Sequence, residues 1–362
     1  MLSMNRLSAY GRYARILVGV VFLLSGLAKG FDLIGTSQKV EEYVEVLSLN
    51  FSPFLYDLLS CCLVGVELFI GISLILHLWH KTVQRLASII TFIFLCLTLV
   101  IAIDGKMNDC GCFGSYFKFS AWQSFAKNVA LLLVVIVASF EKTHHTRCNK
   151  ASLTSTLILF LWIVSFCTIN LSSQPITDSS HYKNNTHILS YEQSPFDIEL
   201  PNKVENKIVY ESITDSILKE ETIVLGIVRE SNTDDSACLN KFVEQVQSLG
   251  KGSGANALLL TSSLENIAGA HEFGLADNNT LKALSSSHIG IVILREGVVT
   301  GRWQQNHLRL QTFPETTGEI KHSSSARDNR MKLCLWLLSL LVTMIFITVI
   351  SNNRGSRKTE KE

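Results

Sequence analysis

Charge is what this sequence has least of. Of its 362 residues, 17% are Asp, Glu, Lys or Arg and 47% are hydrophobic, where an ordinary soluble domain carries about 25% charged residues. The deficit sits in separate apolar blocks, while residues 174–330 have the composition of a normal soluble stretch. Net charge is only +1, and no basic stripe with interleaved aromatics appears, so nothing marks a nucleic-acid partner. Cysteine is too sparse for a disulfide scaffold. The nine are Cys61, Cys62, Cys96, Cys110, Cys112, Cys148, Cys167, Cys238 and Cys334, an odd number that leaves at least one unpaired. Most lie in apolar runs, where a cysteine is usually a small hydrophobe. The first apolar block also lacks a small-x-small cleavage site. Lys29 and Asp32 stand where a cleaved segment would end, so the block reads as a retained span rather than a signal peptide.

What is present is long apolar runs. A bilayer core needs about 20 mostly apolar residues per helix, and six segments qualify: Ile16–Ile34, Leu55–Leu76, Val83–Ile103, Phe125–Phe140, Leu153–Leu171 and Leu333–Ile350. Basic residues near the span ends set the orientation. Arg6, Arg12 and Arg15; Lys81 and Arg85; Lys142, Arg147 and Lys150; and Arg354, Arg357, Lys358 and Lys361 all fall on one side, which is predicted to be cytoplasmic. Both termini are then cytoplasmic, and Gly35–Phe54, Asp104–Ser124 and Gln174–Arg330 are extracytoplasmic loops. The domain plan is a four-helix membrane domain (1–150), a fifth span (151–173), a linker (174–204), a soluble domain (205–312), a second linker (313–332), a sixth span (333–350) and a tail (351–362).

In the soluble segment, residues 174–202 are rich in Ser, Asn, Asp and Pro and read as linker. Thr222–Val228 and Ala257–Thr261 are strand-length apolar runs, and Ala237–Leu249 has apolar residues at helical spacing. Asn279–Leu284 reads as a short helix capped by Asn278 or Asn279. Ile289–Leu294 and Val298–Trp303 flank Arg295-Glu296-Gly297, a hairpin signal. The order β-α-β-α-β-β predicts an α/β domain. Over residues 205–305, ending in GIVILREGVVTGRW, it resembles the second half of a thioredoxin-like domain. The place of the thioredoxin Cys-x-x-Cys reads Asp235-Ser236-Ala237-Cys238, without the first cysteine, and Ser287-His288-Ile289 replaces the usual cis-proline. The resemblance therefore implies docking or presentation rather than independent dithiol chemistry, with Cys238 an isolated helix cysteine.

The loop after the third span carries Asp104-Gly105-Lys106-Met107-Asn108-Asp109-Cys110-Gly111-Cys112-Phe113-Gly114. A disulfide across one intervening residue is tight, because the Cα atoms must approach within about 4.4–6.8 Å, and Gly111 removes the Cβ that would resist the bend. A strained, accessible disulfide gives up its bond readily, which suits a catalytic pair. Lys106 favours the thiolate and Asp109 opposes it. A structural disulfide, two idle thiols or half of a metal site are the competing readings. One Cys-x-Cys supplies only two ligands, and His144–His145 lie on the opposite face, so no metal set is expected. Cys61 and Cys62 belong to the same membrane face as Cys110 and Cys112 and make a second candidate pair, by exchange with the loop. Cys96, Cys148, Cys167 and Cys334 receive no role.

Ionised groups within apolar blocks are costly and need partners. Glu67, mid-span, is expected to face the bundle interior, protonated or paired. Arg15, Gly19, Phe22, Gly26 and Lys29 share one face of the first span, and Gly26 and Gly30 form a G-x-x-x-G pair for close helix approach. Lys29 and Asp32, at the outer end, are expected to snorkel to water.

The strings RILVGVVFLLSGLAKGFDLIG in span one, VGVELFIG in span two and DCGCFGSYFKFSAWQSFAKNVALLLV across the loop and span four, with Asn128, resemble the DoxX-like group. Over residues 12–141 the match is to its methylamine-utilisation MauE branch of redox-associated membrane proteins. The resemblance implies a bacterial inner-membrane protein associated with extracytoplasmic disulfide formation, with Cys110 and Cys112 as the motif cysteines and Arg15, Lys29, Asp32 and Glu67 as the polar helix positions. MauE itself is associated with maturation of a disulfide-rich dehydrogenase subunit. The residues themselves name no cofactor, which is left unknown; the analogy with the DsbB and vitamin K epoxide reductase cores, which pass electrons from thiols to quinone, allows a quinone. The expected partners are the bilayer and extracytoplasmic protein thiols or disulfides. The alternative is a non-catalytic, membrane-anchored assembly factor that binds a client through the α/β domain. Six spans with no visible inverted repeat or broken-helix pair give solute transport no support.

Overall fold

The computed structural model describes residues 2–46, 49, 51–104, 120–141, 150–172, 185, 187–188, 197–204, 207–229, 236–262, 273–285, 287–305, 314–323 and 326–359. The chain forms two units, Met1–Ser173 with Leu333–Glu362, and Gln174–Lys332.

The first unit is helical: α1 (Leu2–Phe31), α2 (Leu33–Val46), α3 (Pro53–Ile75), α4 (His80–Asp104), α5 (Ala121–Ala138), α6 (Lys150–Ser172) and, from the far end of the sequence, α11 (Ala326–Thr359). Among the described residues, six stretches are long and apolar enough to cross a membrane: Ala9–Phe31, Phe54–Ile75, His80–Ile103, Ala121–Ala138, Leu153–Leu171 and Arg330–Ile350. They match the six expected spans. The first helix begins well before Ile16, because the residues preceding it also favour helix. In α3, Pro53 occupies the first turn, where its missing N–H costs nothing. The start of α5 is fixed by a capping box, with Ser120 accepting from the Gln123 N–H while the Gln123 side chain accepts from Ser120 N–H. Helix α2 corrects the reading of Gly35–Phe54 as a loop. It is too polar to register as a span, and Asp32 starts it by accepting from Gly35 N–H at 2.9 Å.

Helices α1 and α3 pack backbone to backbone. A Cβ on Gly71 would lie 2.6 Å from Leu23 N and 2.9 Å from Gly19 O, the close approach that small residues permit in membrane bundles. Gly26 and Gly30 serve different neighbours: Gly26 meets Leu68 of α3, and Gly30 meets the Phe166 ring of α6 and Val64 of α3. Val18, Phe22, Ile70, Leu74, Val83, Ala87 and Val135 form the apolar centre joining α1, α3, α4 and α5. The first span is 61% buried within the protein and the sixth only 11%, so α11 is peripheral to that centre. It is held by aromatic contacts: Trp336 lies edge-on to Phe166 at 4.9 Å and to Trp162 at 6.1 Å.

Among its described residues, the second unit is an α/β sheet of seven strands: β1 (Glu199–Val204), β2 (Lys207–Ser212), β3 (Ile223–Val228), β4 (Asn256–Thr261), β5 (Phe273–Leu275), β6 (Ile289–Arg295) and β7 (Val298–Gln305), in the order β2-β1-β5-β4-β3-β6-β7. Strand β3 is central, parallel to β4 and antiparallel to β6, and β5 continues the parallel part. The predicted hairpin is present: Arg295 pairs with Val298 across Glu296 (φ 48) and Gly297 (φ 73), the two positive angles a tight hairpin of this kind requires. Helix α8 (Ser236–Ser253) covers one face with Leu239, Phe242, Val243, Val246 and Leu249, joined by Ile320 of α10 (Thr317–Ser323). Helices α7 (Thr214–Lys219) and α9 (Asn278–Leu284) cover the other with Ile217, Leu218, Leu281 and Leu284.

Three sequence readings change here. The cap of α9 is Asp277, whose carboxylate accepts from Thr280 N–H at 2.9 Å, in place of Asn278 or Asn279. Glu199–Val204, read as the end of the linker 174–204, is a strand, and Ile188 before it is fully buried in the core. Ile320, within the linker 313–332, is likewise buried on α10. Polar composition hid both segments. Pro201 is tolerated because β1 pairs along its length with β2 and meets β5 only through Glu199.

Candidate functional site

Cys110 and Cys112 lie outside the described residues, within 105–119. Their setting is defined by the helices on either side. Asp104 ends α4 and Ser120 caps α5. These two helices are locked together below the loop by Asn128, 3% exposed, whose amide donates to Phe94 O at 3.3 Å and to Thr98 Oγ1 at 3.2 Å. At the other end Gln84 of α4 donates to Val135 O of α5 at 2.9 Å.

The polar residues of the spans are buried. Lys29 is 6% and Glu67 1% exposed, and Lys29 Nζ donates to both carboxylate oxygens, at 2.6 and 2.8 Å, and to Ser25 Oγ at 2.7 Å. The ammonium also stands 5.7 Å from the centre of the Phe94 ring. Glu67 thus faces the interior and is paired, while Lys29 does not snorkel: a carboxylate on the neighbouring helix offers the charge a better partner than distant water. Asp32, 1% exposed, does not reach water either. It caps α2, and Thr36 Oγ1 closes the same corner by donating to Lys29 O at 3.0 Å and Asp32 O at 2.9 Å. A cleft of about 50 Å³ adjoins the ion pair, lined by Phe22, Ser25, Lys29, Glu67, Thr98 and Asn128 among others.

Arg15 belongs to a separate cluster. Its guanidinium donates to Glu141 Oε2 at 2.7 Å and to the carbonyl of Leu74. Arg12 and His77 each approach Glu141 Oε1 at 3.8 Å, and His77 stacks on His80 at 4.8 Å. Burial, and then the Arg15 charge, hold His77 below its ordinary pKa, against the opposing pull of Glu141. His77, His80 and Glu141 bring possible ligand atoms within 4.8 Å of one another, a grouping the sequence reading did not anticipate. Two guanidiniums share the same carboxylate and oppose a cation there. Nothing local in the sequence links Glu141 to Arg15, which lie 126 residues apart.

Of the second candidate cysteine pair, Cys62 is exposed and Cys61 partly buried on α3. Cys61 meets a residue to which the sequence assigned no role. Cys167 of α6 is 6% exposed, and its thiol donates to the backbone carbonyl of Cys61 at 3.9 Å. Cys238 lies in the first turn of α8, with its side chain outside the described residues.

Comparison with known proteins agrees with this bundle. Residues 6–141 match the family model for methylamine utilisation protein MauE. Protein TlpB of Flavobacterium psychrophilum is 25% identical over 222 residues, covering 58% of this chain and 55% of its own, so the chain spans about half the length of that relative. No solved structure matches. The match ends at Glu141, the carboxylate that pairs with Arg15 near the other end of the matched segment, and from α1 to the end of α5 this integral membrane protein is similar to the MauE family.

Proposed function

We propose that the chain is a membrane-embedded thiol–disulfide redox protein that assists disulfide formation or maturation of extracytoplasmic proteins. The observation that carries the reading is the family match, which encloses Cys110-Gly111-Cys112 between two helices packed as a pair. In the oxidising direction, a client thiolate attacks one sulfur of the Cys110–Cys112 bond. The client's second thiolate then attacks its own sulfur in the mixed disulfide. Cys110 and Cys112 leave as two thiols, so the client loses two electrons and two protons and the loop pair gains them.

The α/β unit, thioredoxin-like in its strand and helix order but without a Cys-x-x-Cys, recruits the client. The predicted sidedness places it outside the cytosol. The cleft beside Lys29 and Glu67 offers about 50 Å³ and points to no particular cofactor. No step is routed through one.

Replacing Cys110 and Cys112 by Ser is expected to shift extracytoplasmic client cysteines to the reduced form, read by thiol-trapping gel shift. Unchanged client redox states would refute the proposal. The missing Cys-x-x-Cys favours the second reading, a non-catalytic assembly factor: deleting residues 174–330 would then abolish client maturation while the double Ser variant kept it.

A further inference from the structure

We propose that Cys61 and Cys167 form a reversible disulfide between α3 and α6, a second dithiol that ties the MauE-like helices to the fifth span. The proposal deepens the redox reading above, adding a pair formed by tertiary packing rather than by a sequence motif.

The two helices meet along a tight seam. Ile163 Cγ2 of α6 would stand 3.4 Å from a Cβ on Gly65, and Phe166 packs against Gly30. Phe166 is fully buried and stacked on Trp162 at 5.4 Å and 10°, so α6 is held in one register against α3. That register brings the Cys167 thiol to 3.9 Å from the Cys61 carbonyl oxygen, which accepts its hydrogen bond. With Cys167 Sγ already against the Cys61 backbone, rotation of the two side chains brings the sulfurs towards each other.

Polar groups begin on both helices within one turn of the pair on its outer side. Asp57 and Ser60 are buried next to Cys61, and Asn170 lies three residues beyond Cys167 with its amide donating to Phe166 O at 2.8 Å. The pair is therefore near the end of the apolar zone rather than at its centre, within reach of a disulfide arriving from the aqueous side.

The two cysteines divide the roles by exposure. Cys61, partly exposed, is the attacking thiol, and Cys167, buried behind it, the resolving one. Cys61 loses its proton and attacks one sulfur of an incoming disulfide, and the other sulfur leaves as a thiol carrying a proton. Cys167 then loses its proton and attacks Cys61 Sγ, displacing the second thiol. Two thiols of this chain are oxidised and one disulfide is reduced to two thiols. Cys62, exposed on the next position of α3, is turned by about 100° around the helix and does not face α6.

The test uses the full-length protein in detergent with Cys62→Ser, so that each linked peptide has one assignment. Samples are equilibrated with oxidised or reduced glutathione, alkylated with N-ethylmaleimide, digested without reduction and mapped by mass spectrometry. The expected result is a Cys61–Cys167 linked peptide that dominates under oxidised glutathione and falls at least tenfold under reduced glutathione. With Cys167→Ser, Cys61 accumulates as the glutathione adduct. The variant C110S/C112S keeps the linkage, so the result is independent of whether the loop pair serves clients. Cys61 and Cys167 both remaining alkylated throughout the series, or Cys61 bonding to the loop instead, would overturn the proposal.

Discussion

Inside the membrane unit, Lys29 meets Glu67 and Arg15 meets Glu141. The faces of the sheet unit are instead sealed by Phe242, Val246, Leu281, Ile291 and their aliphatic neighbours. The difference follows from the surroundings. In water, burying hydrocarbon drives a chain together. A lipid-facing bundle gains little that way, since the outside is as apolar as the inside, and Leu17, Leu24, Phe92 and Leu133 are left exposed without penalty. Its helices are specified by close backbone packing and by polar contacts that have nowhere else to go.

The sharpest way to break this contrast is to remove one half of a charge pair. Glu67→Ala leaves Lys29 buried without its carboxylate and is expected to cost about 3–5 kcal/mol, the scale of a broken buried ion pair. The double change Lys29→Met with Glu67→Leu is expected to recover most of that loss. Thermal unfolding in detergent measures both, and a double variant as unstable as Glu67→Ala would show that the pair does more than neutralise itself.

Next come the two kinds of buried glycine. Gly71→Ala pushes a methyl against backbone atoms Leu23 N and Gly19 O, at 2.6 and 2.9 Å, and backbone cannot yield without separating α1 from α3. The expected cost is about 1–3 kcal/mol. Gly226→Ala on β3 meets only side-chain ends, Leu259 Cδ2 and Val246 Cγ2, both at 2.8 Å. These can rotate, so this change is expected to cost less than Gly71→Ala in the same assay. The reverse order would show that the sheet is the more rigidly packed of the two.

The smallest effect is electrostatic. His77 has a depressed pKa, so the folded protein favours the neutral ring, and its stability contribution is present above the ordinary value of 6.5 and lost as pH falls below it. Arg12, Arg15, His80 and Glu141 surround the ring, and its side chain is 38% exposed, which keeps the effect modest. His77→Gln is expected to flatten the decline in melting temperature between about pH 6.5 and 5. An unchanged slope would assign that decline to other groups.

Much of the frame was legible in the chain. Six spans, strands β3, β4, β6 and β7, helix α8 and the Glu296-Gly297 turn all followed from apolar length, periodicity and turn chemistry. The segments that escaped share a cause. Helix α2 is too polar for a span, β5 is only three residues long, and β1 carries Pro201 and Asn202 in a region whose composition signals linker. In each the element exists because a neighbour satisfies it, and local pattern cannot show the neighbour. At the site, the sequence singled out Lys29 and Glu67 but not their pairing, and it passed over Cys167 and Glu141.

The sequence by itself determined where this chain enters and leaves apolar surroundings, and that two cysteines flank Gly111. Those properties depend on residues close along the chain. Only the tertiary structure decided that Lys29 joins Glu67 across 38 residues, Arg15 joins Glu141 across 126, and Cys61 meets Cys167 across 106. Each is fixed by the register in which glycine-lined helices close on one another, a property of packed surfaces that no single segment carries.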